Sequence, residues 1–577
     1  MGRYVKNTAD VFYTDSFHGL DVSGEEKKNF SSPVYMKNFR ITQKKTLEKR
    51  CGYKVAASGL RSDSCWAGCI GGKSVFVYKK HNSVYAVSVD DGEMIDNCAA
   101  GYERAGFVLF GGKLYAIGKD TFLTFDGRSF DAPEPYIPTV AVTAASNGGG
   151  QIHESLNLLS GKAKISYSPN GTDTVYTLPD IASSVVKAEE NGTEINGYTY
   201  SDVNNTVTFA SAPAEGIDSL VITFKLRAGT VKPEDIPGPK FCVYGGDTDT
   251  RVFAYGRNNV IRYSDVTASG ADVSYFPADN FVTAGDGTYK VTALIRHFDR
   301  LIVFTGRETF YLYCTYVNYD GYSKPSFPVL PLHSSVGCIG GGAAFTDNYP
   351  VTLSSDGIYR FGRTNLRDER SAERISDRVS AYLSPEFLSG AAVFDHEAEK
   401  ELWCSYGGTV LIYNYGINEF YVYDGVNAKL MFDHNNSVAF YDGERICVFD
   451  KTLTEDDGRK FSAVYESGFV FFNKTKKKRR LKRVCVMLLP DSGPTSVTLT
   501  AVPNRGGARS YGVNGEFRRV RFSFGSVDFS DFTFECEARP DPVELRTDLS
   551  SFEALKIRIE NAKAERAAVT GFSLIVD

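Results

Sequence analysis

The sequence predicts an all-β protein: a β-propeller of about seven blades, with a β-sandwich inserted between blades and a jelly-roll-like sandwich at the C-terminal end. Three observations predict it. First, the stretch Val291–Tyr313, VTALIRHFDRLIVFTGRETFYLY, divides at Asp299-Arg300 and at Gly306 into three short runs in which apolar and polar residues alternate. That alternation, rich in β-branched and aromatic residues, is the signal of a half-buried strand. Second, the same rhythm returns in Ala105–Gly127, Ala392–Gly425 and Leu430–Asp450. A meander this short cannot bury both its faces, so it must stack on copies of itself. Third, 13% aromatic residues and 54 glycines in 577 residues suit many short strands with tight turns. Few windows carry a helical period; Asp368–Leu388 is the best candidate for a short helix.

A chain of this length exceeds one core, so several domains are expected. Residues 1–54 read as an extended N-terminal arm: Ser31–Val55 is strand, basic turn and strand, with no face apolar enough to bury alone. Such an arm is expected to lie on the propeller or on a neighbouring subunit. Residues 55–138 hold the first blades, whose Gly71-Gly72 and Gly111-Gly112 pairs suit hairpin turns that need positive φ at both central positions. Pro133, Pro135 and Pro138 break the rhythm. Residues 139–231 give about seven alternating strands with turns at Gly, Asn and Pro clusters, an inserted β-sandwich. Pro233, Pro237 and Pro239 mark its exit, and residues 232–454 resume the propeller. The blade count reads as seven, with six as the alternative, and closing the circle calls for a strand from the arm in the last blade. Residues 455–577 keep the alternation without the meander spacing, which reads as a C-terminal sandwich.

Charge and cysteine usage narrow the function classes. A net charge of −5 with pI near 5.9 argues against a bulk nucleic-acid binder. The 11 cysteines are an odd number spread through apolar runs, which reads as reduced buried thiols. Cys65 and Cys69 lack a second pair at zinc-ligand spacing. The N-terminal residues carry no signal-like apolar run and the chain has no apolar stretch of spanning length, so a soluble protein made in a reducing cytoplasm is expected.

No motif for catalysis stands out. The seven histidines, His18, His81, His153, His297, His333, His396 and His434, include no pair at metal-ligand spacing on a helix. Neither a phosphate-binding loop ending in Lys-Ser/Thr nor a Gly-x-Ser-x-Gly elbow is present. Two near misses to a sialidase Asp-box, at Ser168 and Ser354, place their glycine one residue early. Paired carboxylates for glycoside hydrolysis, being distant in sequence, stay open. No cofactor and no enzymatic activity are expected.

The strongest local anomaly is the run Lys474, Lys476, Lys477, Lys478, Arg479, Arg480, Lys482 and Arg483. It reads either as a solvated basic strand or as a patch for a polyanion, DNA or an acidic neighbouring subunit. Phosphate contact needs only Lys/Arg density and no base readout, and an acidic protein face serves equally well. The shorter run Gln43–Arg50, with Lys44, Lys45, Lys49 and Arg50, reads as a weaker candidate for subunit contact.

Several segments together resemble a known family. They are Lys37–Val55 (KNFRITQKKTLEKRCGYKV), Leu123–Val142, Ile261–Tyr313, Leu353–Arg363 with Glu373–Val379, and Lys476–Val486 (KKKRRLKRVCV). In this order they resemble β-propeller tail proteins of tailed bacteriophages, especially the tail nozzle or tubular proteins and head-to-tail stabilisation proteins of short-tailed phages. Two positions depart from the pattern: Cys51 stands where such proteins often carry proline, and the usual glycine before Leu47-Glu48 is missing. The resemblance implies a structural virion protein that forms a closed ring, often a hexamer, around the channel through which the genome leaves. It implies other tail proteins as partners and sequence-independent contact with phage DNA. The rival expectations are a host-surface protein whose inserted sandwich reads glycan, and a carbohydrate-active propeller enzyme.

Overall fold

The computed structural model describes residues 9–23, 29–236, 238, 240–319, 322–340, 342–362, 371–472, 478–489, 495–515 and 541–577. The fold is an all-β propeller with two sandwiches. Among the described residues there are 54 strands, three 3-10 segments and one short α-helix, Pro385–Gly390. Of the helix expected over Asp368–Leu388, residues 368–370 lie outside the described residues and the rest is broken up. Ala372–Arg374 is a strand, Asp377–Tyr382 a 3-10 segment, and a new start follows at Ser384, whose hydroxyl accepts from the Phe387 amide. Pro385 is the reason: it has no amide to continue a helix from upstream but is pre-set for a first helical position.

By compactness the chain divides into two units. The second, Arg61–Ala343 with Phe361–Ala372, carries four antiparallel four-stranded sheets. Blade 1 is Ser64–Ile70, Lys73–Lys80, Ser83–Ser88 and Met94–Ala99; blade 2 is Gly106–Phe110, Lys113–Gly118, Thr121–Phe125 and Phe130–Asp131. Blade 3 is Lys240–Tyr244, Arg251–Tyr255, Val260–Tyr263 and Phe281–Thr283; blade 4 is Val291–His297, Arg300–Thr305, Thr309–Tyr313 and Val329–His333. Stacking buries the alternating apolar residues: Val75, Val77, Leu114 and Phe125 between blades 1 and 2, and Phe253, Ile261, Leu301 and Val303 between blades 3 and 4.

Between blades 2 and 3 the same unit holds the inserted sandwich. A six-stranded sheet built on Thr139–Ala144, Lys162–Tyr167, Leu220–Leu226 and Ala182–Glu190 faces a three-stranded one of Val175–Thr177, Thr206–Phe209 and Tyr198–Ser201. Its core is Ile165, Tyr167, Tyr176, Val207, Phe209, Ile222 and Phe224. Blades 2 and 3, although separated by the insertion, share a core of Val108, Ile117, Val252 and Phe276.

The first unit, Met1–Leu60 with Ala344–Arg360 and Glu373–Asp577, holds the remaining blades. Blade 5 is Ala343–Thr346, Tyr349–Ser354, Gly357–Phe361 and Ala372–Arg374, with its end residues at the division between units. Blade 6 is Ala392–His396, Glu401–Tyr406, Thr409–Asn414 and Glu419–Asp424. Blade 7 takes Leu430–His434, Ser437–Tyr441 and Ile446–Asp450 from the C-terminal side and its fourth strand, Gly52–Ala57, from the N-terminal side. The count is seven.

The C-terminal sandwich also lies in the first unit. One sheet is centred on Arg479–Leu488 and Ala568–Val576, the other on Ala554–Asn561 and Thr495–Pro503. The arm, expected to lie on the propeller or on a neighbouring subunit, is paired into this sandwich as well as into blade 7. Asp10–Thr14 and the hairpin Phe39–Ile41/Leu47–Lys49 belong to the first sheet, and Pro33–Lys37 is an edge of the second. Short strands with one apolar face find their pairing partners there, and Phe17 is buried against Tyr465 of one sheet and Phe572 of the other.

Candidate functional site

The four cations of the arm were expected on a subunit surface, and only Lys44 is fully exposed. Arg50 is turned inward, its side chain 1% exposed. Its guanidinium donates to both oxygens of Asp456 at 2.8 and 2.6 Å, and its Nε donates to Asn38 Oδ1 at 2.9 Å. The ring of Phe461 lies 3.8 Å below it. A planar fork meeting a carboxylate in this way is the geometry that repays the desolvation of a buried ion pair. Asn38 is fully buried in the left-handed region, at φ 56. Its Oδ1 also accepts from the Asp424 amide at 3.0 Å, and its Nδ2 donates to Ser462 O at 2.8 Å and to Asp424 Oδ1. One asparagine thus ties the arm to blade 6 and to the first residues of the C-terminal sandwich.

Lys49 is buried as well, donating to Asn561 Oδ1 at 2.9 Å and Lys563 O at 2.6 Å over the Phe461 ring. Burial first and the neighbouring Arg50 second pull its ammonium down to about 8. Lys45 reaches Glu419 of blade 6 at 2.9 Å. Glu419 is 4% exposed and also takes His18 Nδ1 at 2.9 Å, the Gly19 amide at 2.9 Å and Arg378 Nη1 at 3.2 Å. Burial alone would raise its carboxyl, but the hydrogen bonds from His18, Lys45 and Gly19 outweigh it and hold the carboxyl below its usual range. Three of the four arm cations therefore fasten this chain to itself. The reason is burial: the carboxylates that answer them, Glu419 and Asp456, lie within the same compact unit. Glu419, Asn38, Asp424 and Asp456 are the residues that sequence reasoning missed, and nothing short-range in the sequence marks them.

Lys474, Lys476 and Lys477 of the second basic run lie outside the described residues. The others sit at or before the strand Arg479–Leu488, whose alternation turns Arg479, Leu481, Val484, Val486 and Leu488 inward. Arg479 is buried and donates to Asp10 Oδ2 at 3.0 Å. Lys482 meets Asp577 at 2.7 Å and Arg483 meets Glu544 at 2.7 Å, both pairs part-exposed. Lys478 and Arg480 are exposed. Of the five described cations of the run, one, Arg479, is withdrawn from the surface, and two more, Lys482 and Arg483, are exposed but ion-paired.

At the junction of blades 6 and 7, Glu401 accepts from Trp403 Nε1 at 2.9 Å and from Tyr421 Oη, while Arg40 of the arm bridges to Glu399 at 2.9 Å. Nearby, Asp395 is lifted to about 6, by burial first and then by the charges of Glu397 and Asp433, although a hydrogen bond from Tyr415 opposes the rise. Among the described residues no group of three or more His, Cys, Asp and Glu side chains is placed to hold a metal ion.

The strand pairing defines the class: a seven-bladed propeller whose N-terminal strands are knitted into a C-terminal sandwich. No family model matches the sequence, and no curated protein matches it. Solved structures do. The chain is similar to BamB from Moraxella catarrhalis (9% identity over 72% of this chain and 96% of that one, TM-score 0.30). It is similar also to the AfRom2 CNH domain (8%, 69% and 99%, TM-score 0.32) and to an exo-β-1,3-galactanase from Phanerochaete chrysosporium (9%, 82% and 95%, TM-score 0.17). At such identities and TM-scores the likeness carries no functional information.

Proposed function

We propose that this chain is a structural, non-enzymatic subunit of a bacteriophage tail, a nozzle, tube or head-to-tail connector protein that assembles with its own copies into a ring around the DNA exit channel. The observation that carries the reading is the role of the segment Lys37–Val55, one of those on which the resemblance rests. Its Asn38, Lys45, Lys49, Arg50 and Gly52 join arm, blades 6 and 7 and sandwich through buried and part-buried polar contacts. A wall element needs parts that do not slide on one another, and buried, fully paired charges resist sliding because any shift leaves a charge unanswered.

In this reading the copies number six, other tail proteins flank the ring, and Lys478 and Arg480 meet phage DNA or a neighbour through charge alone. The protein is made in the bacterial cytoplasm and ends in the virion. The inserted sandwich turns Ile152, Val203 and Ile217 outward at 93, 94 and 85% exposure, side chains that a neighbouring subunit would cover. Light scattering on purified full-length protein tests the reading: a mass that is a multiple of 63.5 kDa supports it, and a concentration-independent monomer opposes it.

A further inference from the structure

Blade 1 and blade 2 are joined by the loop around Tyr102, and a cleft of about 450 Å³ opens there, lined by Asp63, His81, Tyr102, Glu103 and Arg104. Tyr102 is 76% exposed, yet its backbone is held from several sides. Lys79, a fully buried lysine, donates from Nζ to the carbonyl of Tyr102 at 3.3 Å and to that of His81. The His81 amide donates to Asp63 Oδ2 at 3.0 Å, and His81 itself stands in the left-handed region at φ 51. The Gly101 amide donates to Thr121 Oγ1 at 2.9 Å, and a Cβ on Gly101 would strike Asp120 Cβ at 2.6 Å. The two bonds from the Lys79 ammonium compensate its burial and hold the backbone of the loop on which the Tyr102 ring stands in solvent.

An exposed aromatic face beside two carboxylates, a guanidinium and an imidazole is the chemistry that recognises a sugar ring: stacking on one side, paired hydroxyls on the other. The two carboxylates of the lining, Asp63 and Glu103, stand against Arg104 and the Lys79 ammonium that holds the loop, so the site carries little net charge to attract phosphate or nucleic acid. From Glu103 and Arg104 a second cleft of about 500 Å³ continues over Ile117, Ile236 and Phe241, with Lys119, Glu234 and Arg257 also in its lining, giving room for more than one sugar unit.

We propose that this cleft binds an uncharged oligosaccharide, with Tyr102 as the stacking platform and Asp63, His81, Glu103 and Arg104 as the hydrogen-bonding rim. The site lies in the propeller, apart from the inserted sandwich, and it stands whether or not the chain forms rings. The test is titration calorimetry of full-length protein with maltohexaose, cellohexaose and chitohexaose, and with inorganic phosphate for comparison. Saturable binding of at least one sugar is expected, weakened roughly tenfold or more in Tyr102→Ala and in Glu103→Gln, with thermal midpoints unchanged. No binding to any of the three sugars, equal binding by Tyr102→Ala, or preferential binding of phosphate would overturn it. Should Tyr102→Ala lower the thermal midpoint, Tyr102→Phe, which keeps the ring, is expected to bind as the wild type does; loss in that variant too would count against stacking.

Discussion

At the scale of single residues, the account turns on charges that are buried and answered. Asp456→Ala leaves the Arg50 guanidinium inside the protein without its carboxylate and is expected to cost about 3–5 kcal/mol, read as a lower urea midpoint at unchanged slope. Replacing both partners with apolar residues, Arg50→Met with Asp456→Leu, should recover most of that loss, because no unpaired charge remains. Asp395 gives a pH signature. Its carboxyl rises from the ordinary 3.8 to about 6 in the folded chain, so between those values the native state holds more protons than the unfolded one. Stability from this group is therefore greatest at acid pH and is lost as pH rises through about 6. Asp395→Asn is expected to raise the thermal midpoint at pH 7 and to leave it nearly unchanged at pH 4, where the wild-type carboxyl is already neutral.

At the scale of elements, the strand Gly52–Ala57 is the one on which blade 7 depends, since it supplies the fourth strand beside Ile446–Asp450. A Cβ at Gly52 would lie 1.9 Å from the Glu455 carbonyl oxygen, on backbone that cannot swing aside. Gly52→Ala is expected to destabilise by about 2 kcal/mol or more and to expose the N-terminal region to limited proteolysis before the inserted sandwich. Gly59→Ala is a poor control because of its positive φ, whereas a substitution at the exposed Lys44 should be silent. Much of this layer was legible in the chain. The alternation in LIVFTG and ETFYLY gave strands Arg300–Thr305 and Thr309–Tyr313, and the Gly71-Gly72 and Gly111-Gly112 pairs do stand at positive φ in the hairpin turns. Even the need for an arm strand in the last blade follows from counting. The pairing of Asp10–Thr14 with Ala568–Val576 was not legible, because the partners lie more than five hundred residues apart and each run is compatible with many edges. The inward turn of Lys49 and Arg50 was hidden for the same reason: a basic run reads as solvated until its carboxylates are known.

At the scale of the whole molecule, the chain combines a propeller, an insertion with its own apolar core and a sandwich closed by both chain ends. The insertion, residues 139–231, has thirteen buried apolar core residues of its own and is expected to fold when expressed alone, with one cooperative thermal transition and strand-type circular dichroism. A molten, non-cooperative fragment would mean that its stability is borrowed from the propeller. The charge layout belongs to this scale too. With Arg479 buried on Asp10, and Lys482 and Arg483 in surface pairs with Asp577 and Glu544, the described cations of the basic strand free of such pairs are Lys478 and Arg480. Changing both to serine should reduce DNA retention on the protein at low salt and leave the thermal midpoint within error. The central claim is that copies of this chain close into a ring. Negative-stain microscopy of the purified protein, over a range of concentrations and salt, tests it most directly. The account predicts class averages with rotational symmetry about an open centre, in rings or stacked tubes. Particles of a single copy under every condition would contradict it.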